Sequence, residues 1–262
     1  MATPAALRVV EGHWVVFRRV WRGTILTGFL QPLLFLAGMG LGVGSLVQRN
    51  GSETTVLGGA SYVAFIAPGL LVATAMMTAS VEATWPVLDN FTWQRGYERM
   101  ITAPIGVGAV VAGQVYWWII RLGISAVAVS VAMLAFPDAR STGTFLAIPA
   151  AVLSGLAFAT PIGAFSATRP MGSSGAFAAL TRFVITPLFL FGGVFYPVTQ
   201  LPAWLRPVAY ATPLYHGVAL CRGLTLHTLG LASAAAHVGV LLVYVFGGLA
   251  VCLWAFRRRL LL

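Results

Sequence analysis

Six long apolar stretches run along the chain, separated by shorter segments that carry most of the charge. They cover residues 24–47, 60–81, 110–136, 145–167, 175–195 and 231–256. A helix needs about 20 apolar residues to cross a bilayer, and each stretch is at least that long. Several contain proline, which kinks a membrane helix without excluding it because neighbouring helices satisfy the freed carbonyls. The pattern therefore predicts an all-α, polytopic membrane protein with six transmembrane helices.

The first 23 residues have a different pattern. Apolar side chains recur every three or four residues, and charged ones recur on another face: Leu7, Val10, Trp14, Phe17 and Trp21 against Arg8, Glu11, Arg18 and Arg22. This division of Trp and Arg is typical of a helix that lies in the membrane interface. The alternative is an ordinary amphipathic helix packed on protein. We predict an interfacial helix over residues 1–23, followed by a transmembrane domain over residues 24–262.

Composition supports a membrane location. Hydrophobic residues make up 59% of the chain and charged residues only 8%, whereas a soluble domain is about 25% charged. Only lipid can solvate so apolar an outer surface. The segments between the six stretches are too short for a second soluble domain, which needs at least about 50 residues.

Arginine is distributed unevenly, and lysine is absent from the sequence. With a cytoplasmic N-terminus, ten Arg lie inside and four outside: Arg8, Arg18, Arg19, Arg22, Arg95, Arg99, Arg169, Arg257, Arg258 and Arg259 against Arg49, Arg140, Arg206 and Arg222. Because positive charge marks cytoplasmic loops, both termini are expected in the cytoplasm. The chain itself is expected in the cytoplasmic (inner) membrane. The Arg residues are not clustered on a soluble element, so no nucleic-acid partner is expected.

Catalytic and nucleotide-binding motifs are missing from the sequence. A phosphate-binding loop needs Lys, so ATP and Mg²⁺ would have to be bound by a partner ATPase. No pair of acids lies at the depth of the apolar stretches, as two-carboxylate catalysis would require. The four His residues have no metal-binding spacing. We therefore expect no enzymatic activity and no metal or cofactor bound by this chain.

The connection over residues 82–104 mixes charged and large apolar residues. Its charges are Glu82, Asp89, Arg95, Glu98 and Arg99, and its large apolar residues are Trp85, Phe91, Trp93, Tyr97 and Met100. A solvated loop, which is the alternative, would not need five large apolar side chains. The composition predicts a short cytoplasmic helix that docks into a groove of another protein.

The connection over residues 196–226 is rich in proline and aromatic residues: Pro197, Pro202, Pro207 and Pro213 alternate with Trp204, Tyr210 and Tyr215. It is too apolar for a free loop and too interrupted for a span. We predict one or two short helices that dip into the outer leaflet, with Trp and Tyr held at the level of the headgroups.

Two arginines, Arg121 and Arg182, lie within predicted spans. A charge at that depth costs a few kcal/mol, so each should face protein or water. One hypothesis places both, with Trp117 one turn from Arg121, along a substrate path that attracts an anionic headgroup. The alternative is structural: the side chains snorkel to the headgroups, or Arg121 pairs with Glu82.

Three segments carry a family resemblance. The sequences FLFGGVFYP (189–197), LPAWL (201–205) and TPLYHGVALCRGL (212–224), with YERMITAP (97–104), resemble the ABC-2 family of exporter permeases. Within the family, these motifs are most similar to those of the nodulation lipo-oligosaccharide exporters, and relatives with this pattern are also called drug exporters. Gln114 departs from the family, whose members often have Lys there.

The resemblance implies a permease that dimerises with an identical or related chain and binds two copies of an ATPase. It implies a coupling helix around Arg95, Tyr97, Glu98, Arg99 and Met100. It also implies that residues 196–226 form a re-entrant helical hairpin at an outer gate, whose candidate residues are Pro197, Trp204, Pro213, Tyr215, His216 and Arg222.

The expected function is ATP-driven export of an amphiphile, such as a lipid-linked, glycolipid or drug-like molecule, by a chain in contact with membrane lipids. The alternative is an ATP-independent carrier or channel. A carrier should have ionisable groups for ion coupling near the midplane, and the sequence places no acid there. A membrane enzyme is a third class, disfavoured by the missing catalytic groups.

Overall fold

The computed structural model describes residues 5–44, 59–102, 105–170 and 172–261. Within these ranges the chain is helical and contains no strand. The α-helices, in chain order, are α1 (Ala5–Gly38), α2 (Tyr62–Phe91), α3 (Gly96–Thr102), α4 (Val107–Met133), α5 (Thr144–Ala167), α6 (Ser174–Leu180), α7 (Thr186–Phe191), α8 (Arg206–Tyr210), α9 (Pro213–Thr225) and α10 (Leu231–Leu261). A π-helical turn, Met39–Val43, extends α1, and another, Thr181–Ile185, joins α6 to α7.

Six units among the described residues are long and apolar enough to cross a membrane. They are α1, α2, α4, α5, the continuous α6–α7 segment and α10. This number confirms the predicted all-helical, six-span architecture. The helices α2 and α5 are the most buried of the six and form the centre of the bundle, whereas α1 and the α6–α7 segment are the least buried.

The structure differs from the prediction at the N-terminal helix. Residues 5–38 form one continuous helix, with no break at residue 23. Its buried face, which includes Val9 and Phe17, packs on α4 at a point where Gly113 leaves room for the Val9 side chain. Leu7, Trp14 and Trp21, which belong to the predicted apolar face, are exposed and do not pack on the bundle. An interfacial position for residues 5–23 stays a prediction.

The second helix is longer than predicted. It continues ten residues beyond the predicted end at residue 81 and passes through Pro86. Ala83, Val87 and Phe91 are buried and extend the packed face of the helix at four-residue spacing. Residues 82–91 are therefore part of a span-length helix, and only α3 forms the predicted short helix.

The two ends of the bundle differ in character. At the first, which we call the basic end, Arg259 donates from Nη1 to the carbonyl oxygens of Ala167 (2.8 Å) and Arg169 (2.6 Å). The helix α3 lies at the same end, because Tyr97 packs against Phe256. The opposite end, which we call the hairpin end, carries residues 192–230. Several of the Arg residues that the sequence placed inside the cell therefore lie at this end, among them Arg95, Arg99, Arg169 and Arg259. The orientation of the chain in the membrane stays a prediction.

Candidate functional site

The short helix α3 is held to the basic end by one buried side chain. Tyr97 is fully buried and donates from its hydroxyl to Gln114 Oε1 at 2.7 Å. Its ring packs edge-on to Phe91 at 4.7 Å and against Phe256 at 5.2 Å. Burial raises the pKa of Tyr97, so the phenol remains a donor. The prediction that Tyr97 lies on a docking surface was wrong, since its side chain has no exposed surface.

The exposed face of α3 is charged. Arg95, Glu98 and Arg99 are exposed, and Arg95 Nε lies 3.8 Å from Glu98 Oε2. Arg99 donates from Nη2 to the carbonyl oxygen of Gln94. Met100 is half-buried. Three of the five predicted coupling residues are therefore exposed, while Tyr97 fixes the helix from below.

Gln114, at the position where family members often have Lys, lies in the interior. It is 1% exposed, and its Oε1 accepts the Tyr97 bond. A Lys has no acceptor atom and could not replace it in that bond. Gln114 Nε2 and His13 Nε2 are both buried, and the two side chains interact with each other. The His13 ring stacks on Trp117 with 5.3 Å between centroids.

Arg121 forms the ion pair that the structural alternative proposed. Its Nε lies 2.8 Å from Glu82 Oε1, and the two side chains are only 12% and 14% exposed. The guanidinium also lies over the Phe17 ring, 4.8 Å from the centroid. Trp117, the proposed stacking partner of a substrate, is 5% exposed and covered by His13 and Phe17. Arg182 is exposed on the π-helical turn of the α6–α7 segment.

A cleft and a groove meet at this ion pair. The cleft, of about 680 Å³, lies between α1, α2 and α4 near the basic end, and Trp85 and Trp93 border it. The groove, of about 530 Å³, continues between the same helices. Its lining is mostly apolar and includes five hydroxyl or amide side chains: Thr24, Gln31, Thr74, Thr78 and Ser125. Both spaces border Glu82 and Arg121. The pair therefore lies where the aromatic cleft meets the groove.

At the hairpin end, the two short helices expected from the sequence are α8 and α9. Pro213 is the first residue of α9, and Thr212 caps it by accepting a hydrogen bond from the Tyr215 backbone N–H. Trp204 is 74% exposed, which suits a headgroup-level position. A re-entrant position in the membrane stays a prediction.

Arg222 joins the hairpin to α2. Its Nε donates to the carbonyl oxygen of Phe65 at 3.0 Å, and its Nη2 donates to those of Gly193 (2.9 Å) and Val194 (3.1 Å). The guanidinium lies 3.6 Å from the centroid of the Phe65 ring. Gly193 has φ +82°, a left-handed conformation that glycine adopts without strain. Sequence reasoning placed Arg222 at an outer gate but could not identify these backbone partners.

Two histidines meet between α9 and α10. The Nδ1 atoms of His216 and His237 are 2.9 Å apart, so one donates a hydrogen bond to the other. Near them, the Tyr244 hydroxyl donates to the carbonyl oxygen of Ala211 at 2.6 Å. The described residues contain no group of three or more His, Cys, Asp or Glu side chains able to hold a metal. The pair therefore connects the hairpin to the last span.

Six spans with structured elements at both ends define a multi-pass, all-helical membrane protein. The model of the ABC-2 type transporter family matches residues 7–226. The chain therefore belongs to this family, and its role is that of a membrane permease rather than an enzyme. This confirms the family and the permease role that the sequence motifs implied.

Similar proteins extend over nearly the whole chain. Nodulation protein J of Rhizobium leguminosarum bv. trifolii is 29% identical, over 97% of this chain and 94% of that protein. Nodulation protein J of Bradyrhizobium diazoefficiens is 28% identical, over 95% and 91%. The inner membrane transport permease YadH of Escherichia coli (strain K12) is 26% identical, over 93% and 90%. No solved structure matches the chain.

Proposed function

We propose that this chain is the permease subunit of an ATP-driven exporter in the inner membrane, and that it moves an amphiphile across that membrane. Membership of the ABC-2 family supports the permease role. The similarity to YadH, whose name describes an inner membrane transport permease, supports the location. ABC-2 permeases work with ATPase subunits, and in this proposal two copies of such a subunit bind the ATP and Mg²⁺.

The anchored, charged helix α3 is the observation that carries the proposal. A docked partner would contact Arg95, Glu98 and Arg99, which are exposed. Tyr97 would pass the movement of α3 to the bundle, since it contacts α2 through Phe91 and α10 through Phe256. A helix of seven residues is not stable alone. Its buried attachment therefore suits a part that transmits force.

A second permease, identical or related, would cover the least buried spans. Phe183 is 78% exposed on the α6–α7 segment, and Leu34 is 61% exposed on α1. Arg182 is exposed on the same segment as Phe183, and an arginine that faces lipid costs a few kcal/mol even on the lenient insertion scale. Contact with a second permease would remove Arg182 from lipid. This supports the dimer.

The cleft at the basic end suits an uncharged polar group attached to a lipid. Trp85 and Trp93 offer aromatic surfaces on which a sugar ring can stack. Glu82 already neutralises Arg121, so an anionic headgroup would have to compete with a carboxylate 2.8 Å away. The groove beyond supplies hydroxyl groups for hydrogen bonds. These features favour a glycolipid or a similar amphiphile over one that depends on Arg121 for an anionic headgroup.

Charge reversal on α3 tests the coupling role. The permease would be purified with its partner ATPase subunit, and co-purification, ATP hydrolysis and substrate transport would be measured. The chain alone should hydrolyse no ATP. The substitutions Glu98→Arg and Arg99→Glu should release the ATPase or uncouple hydrolysis from transport. Asp138→Arg, a reversal of an exposed acid at the hairpin end, should change neither. Unchanged assembly and transport in both α3 variants would contradict the proposal.

A further inference from the structure

A separate cavity of about 600 Å³ opens at the hairpin end. Its lining includes Arg222, the phenols Tyr210 and Tyr215, and the hydroxyl residues Thr199 and Thr228. It shares no lining residue with the cleft or the groove at the ion pair. Its volume lies within the range of small-molecule sites, about 300–1,000 Å³.

The charge of Arg222 has no carboxylate partner in the described part of the chain. The ion pairs there are Arg95–Glu98 and Arg121–Glu82. Arg222 instead faces three backbone carbonyls, which accept from Nε and Nη2. Carbonyl dipoles orient the guanidinium but leave its full positive charge, and an uncompensated buried charge is costly. An anion in the adjoining cavity would compensate it.

The geometry leaves donors for such an anion. A guanidinium has five N–H groups, and the bonds to Phe65, Gly193 and Val194 use three of them. The two hydrogens of Nη1 take part in none of these bonds, and charge-assisted N–H donors of this kind bind the oxygens of phosphate or carboxylate. The Tyr210 and Tyr215 side chains border the same space, with ring centroids 4.8 Å apart.

We propose that the hairpin-end cavity binds a phosphate-type anionic group, such as the headgroup of an anionic lipid, with Arg222 as its main ligand. Arg222 is held by its carbonyl partners before the anion arrives, so little conformational freedom is lost on binding. The proposal does not depend on the ATPase or on transport. It concerns the end of the bundle opposite to α3.

Binding to the purified full-length chain in a neutral detergent tests the proposal. The probes are dioctanoyl phosphatidylglycerol, dioctanoyl glycerol, which lacks the phosphate, and inorganic phosphate. We expect phosphatidylglycerol to bind and dioctanoyl glycerol to bind at least about tenfold more weakly. Tighter binding of phosphatidylglycerol than of inorganic phosphate supports a lipid as the source of the anion. Equal affinity supports the same anion site with a free anion as its occupant.

Two variants separate an anion site from a structural arginine. Arg222→Gln should weaken binding about tenfold or more, but it also removes bonds that hold the hairpin. Thr228→Glu leaves Arg222 intact and adds a competing carboxylate to the cavity, with Thr228→Gln as the matched neutral control. The proposal requires loss of binding in Thr228→Glu, retention in Thr228→Gln and unchanged melting temperatures for both.

Two results would overturn the proposal. The first is binding of phosphatidylglycerol and phosphate that is insensitive to Thr228→Glu, or absent from the native chain. The second concerns Glu53, which lies outside the described residues. If the native chain binds neither probe and Glu53→Gln creates the binding, this carboxylate is the partner of Arg222 and the native cavity is not a ligand site.

Discussion

Removing either partner of the Glu82–Arg121 ion pair should destabilise the permease more than removing both. The two side chains are 12% and 14% exposed and meet at 2.8 Å. Glu82→Gln leaves an uncompensated guanidinium beside the groove, and Arg121→Gln leaves an uncompensated carboxylate. The double variant replaces the pair with two neutral amides, which leave no charge behind.

The expected magnitude follows from the geometry. With charge centres about 4 Å apart and an effective dielectric constant of about 20, the attraction is about 4 kcal/mol. Because both groups are largely buried, this agrees with the 3–5 kcal/mol typically lost when one partner of a buried pair is removed, so about 3–4 kcal/mol is expected for each single variant. At about 2–4 °C per kcal/mol, each should melt roughly 6–16 °C lower.

The assay is thermal unfolding of the purified chain in detergent, followed by tryptophan fluorescence. Arg257→Gln, which removes an exposed arginine at the basic end, is the control and should melt like the native chain. The exchanged pair, Glu82→Arg with Arg121→Glu, should recover most of the lost stability. A loss of stability in the double variant equal to the sum of the two single losses would refute the coupling. If the exchanged pair restores the melting temperature but not transport, one of the two side chains has a role in substrate transport.

Two further predictions concern the basic end. Tyr97→Phe leaves Gln114 Oε1 buried without its 2.7 Å hydrogen bond, which should cost about 1–3 kcal/mol of stability. The expected results are a lower melting temperature and weaker coupling of ATP hydrolysis to transport. Native values for both would contradict an anchoring role. A reporter that fluoresces only in the cytoplasm, fused after Leu262, should be bright because both termini are predicted inside, and a dark but well-expressed fusion would exclude the six-span orientation.

The spans could be predicted because lipid imposes a requirement on every one of them. A helix in hydrocarbon must satisfy its own backbone and be apolar for about 20 residues, and this leaves a signal in local composition. The end of α2 was missed because Glu82 and Asp89 interrupt that signal. The buried residues Ala83, Val87 and Phe91 still recur at helical spacing, so periodicity could have found the extension where mean hydropathy did not.

The partners inside the candidate sites were harder to predict. Tyr97 and Gln114 are separated by 17 residues and a change of helix, and Arg222 and Phe65 by 157. The second contact uses a backbone carbonyl, which every residue has, so no side-chain pattern could identify Phe65. Glu82 was the exception. An acid and an arginine in neighbouring spans need each other in lipid, and this physical requirement was enough to suggest the pair.

The two ends of the permease hold an arginine side chain by different means, and one helix connects them. Arg121 is paired with a carboxylate, whereas Arg222 is oriented by carbonyl dipoles that do not cancel its charge. Phe65, which supplies one of those carbonyls, lies in the first two turns of α2, and Phe91, which packs on Tyr97, is its last residue. With 30 residues, α2 is about 45 Å long at 1.5 Å per residue. The seat of α3 and one backbone partner of Arg222 therefore lie near the two ends of a single helix, which contains Pro68 and Pro86 between them.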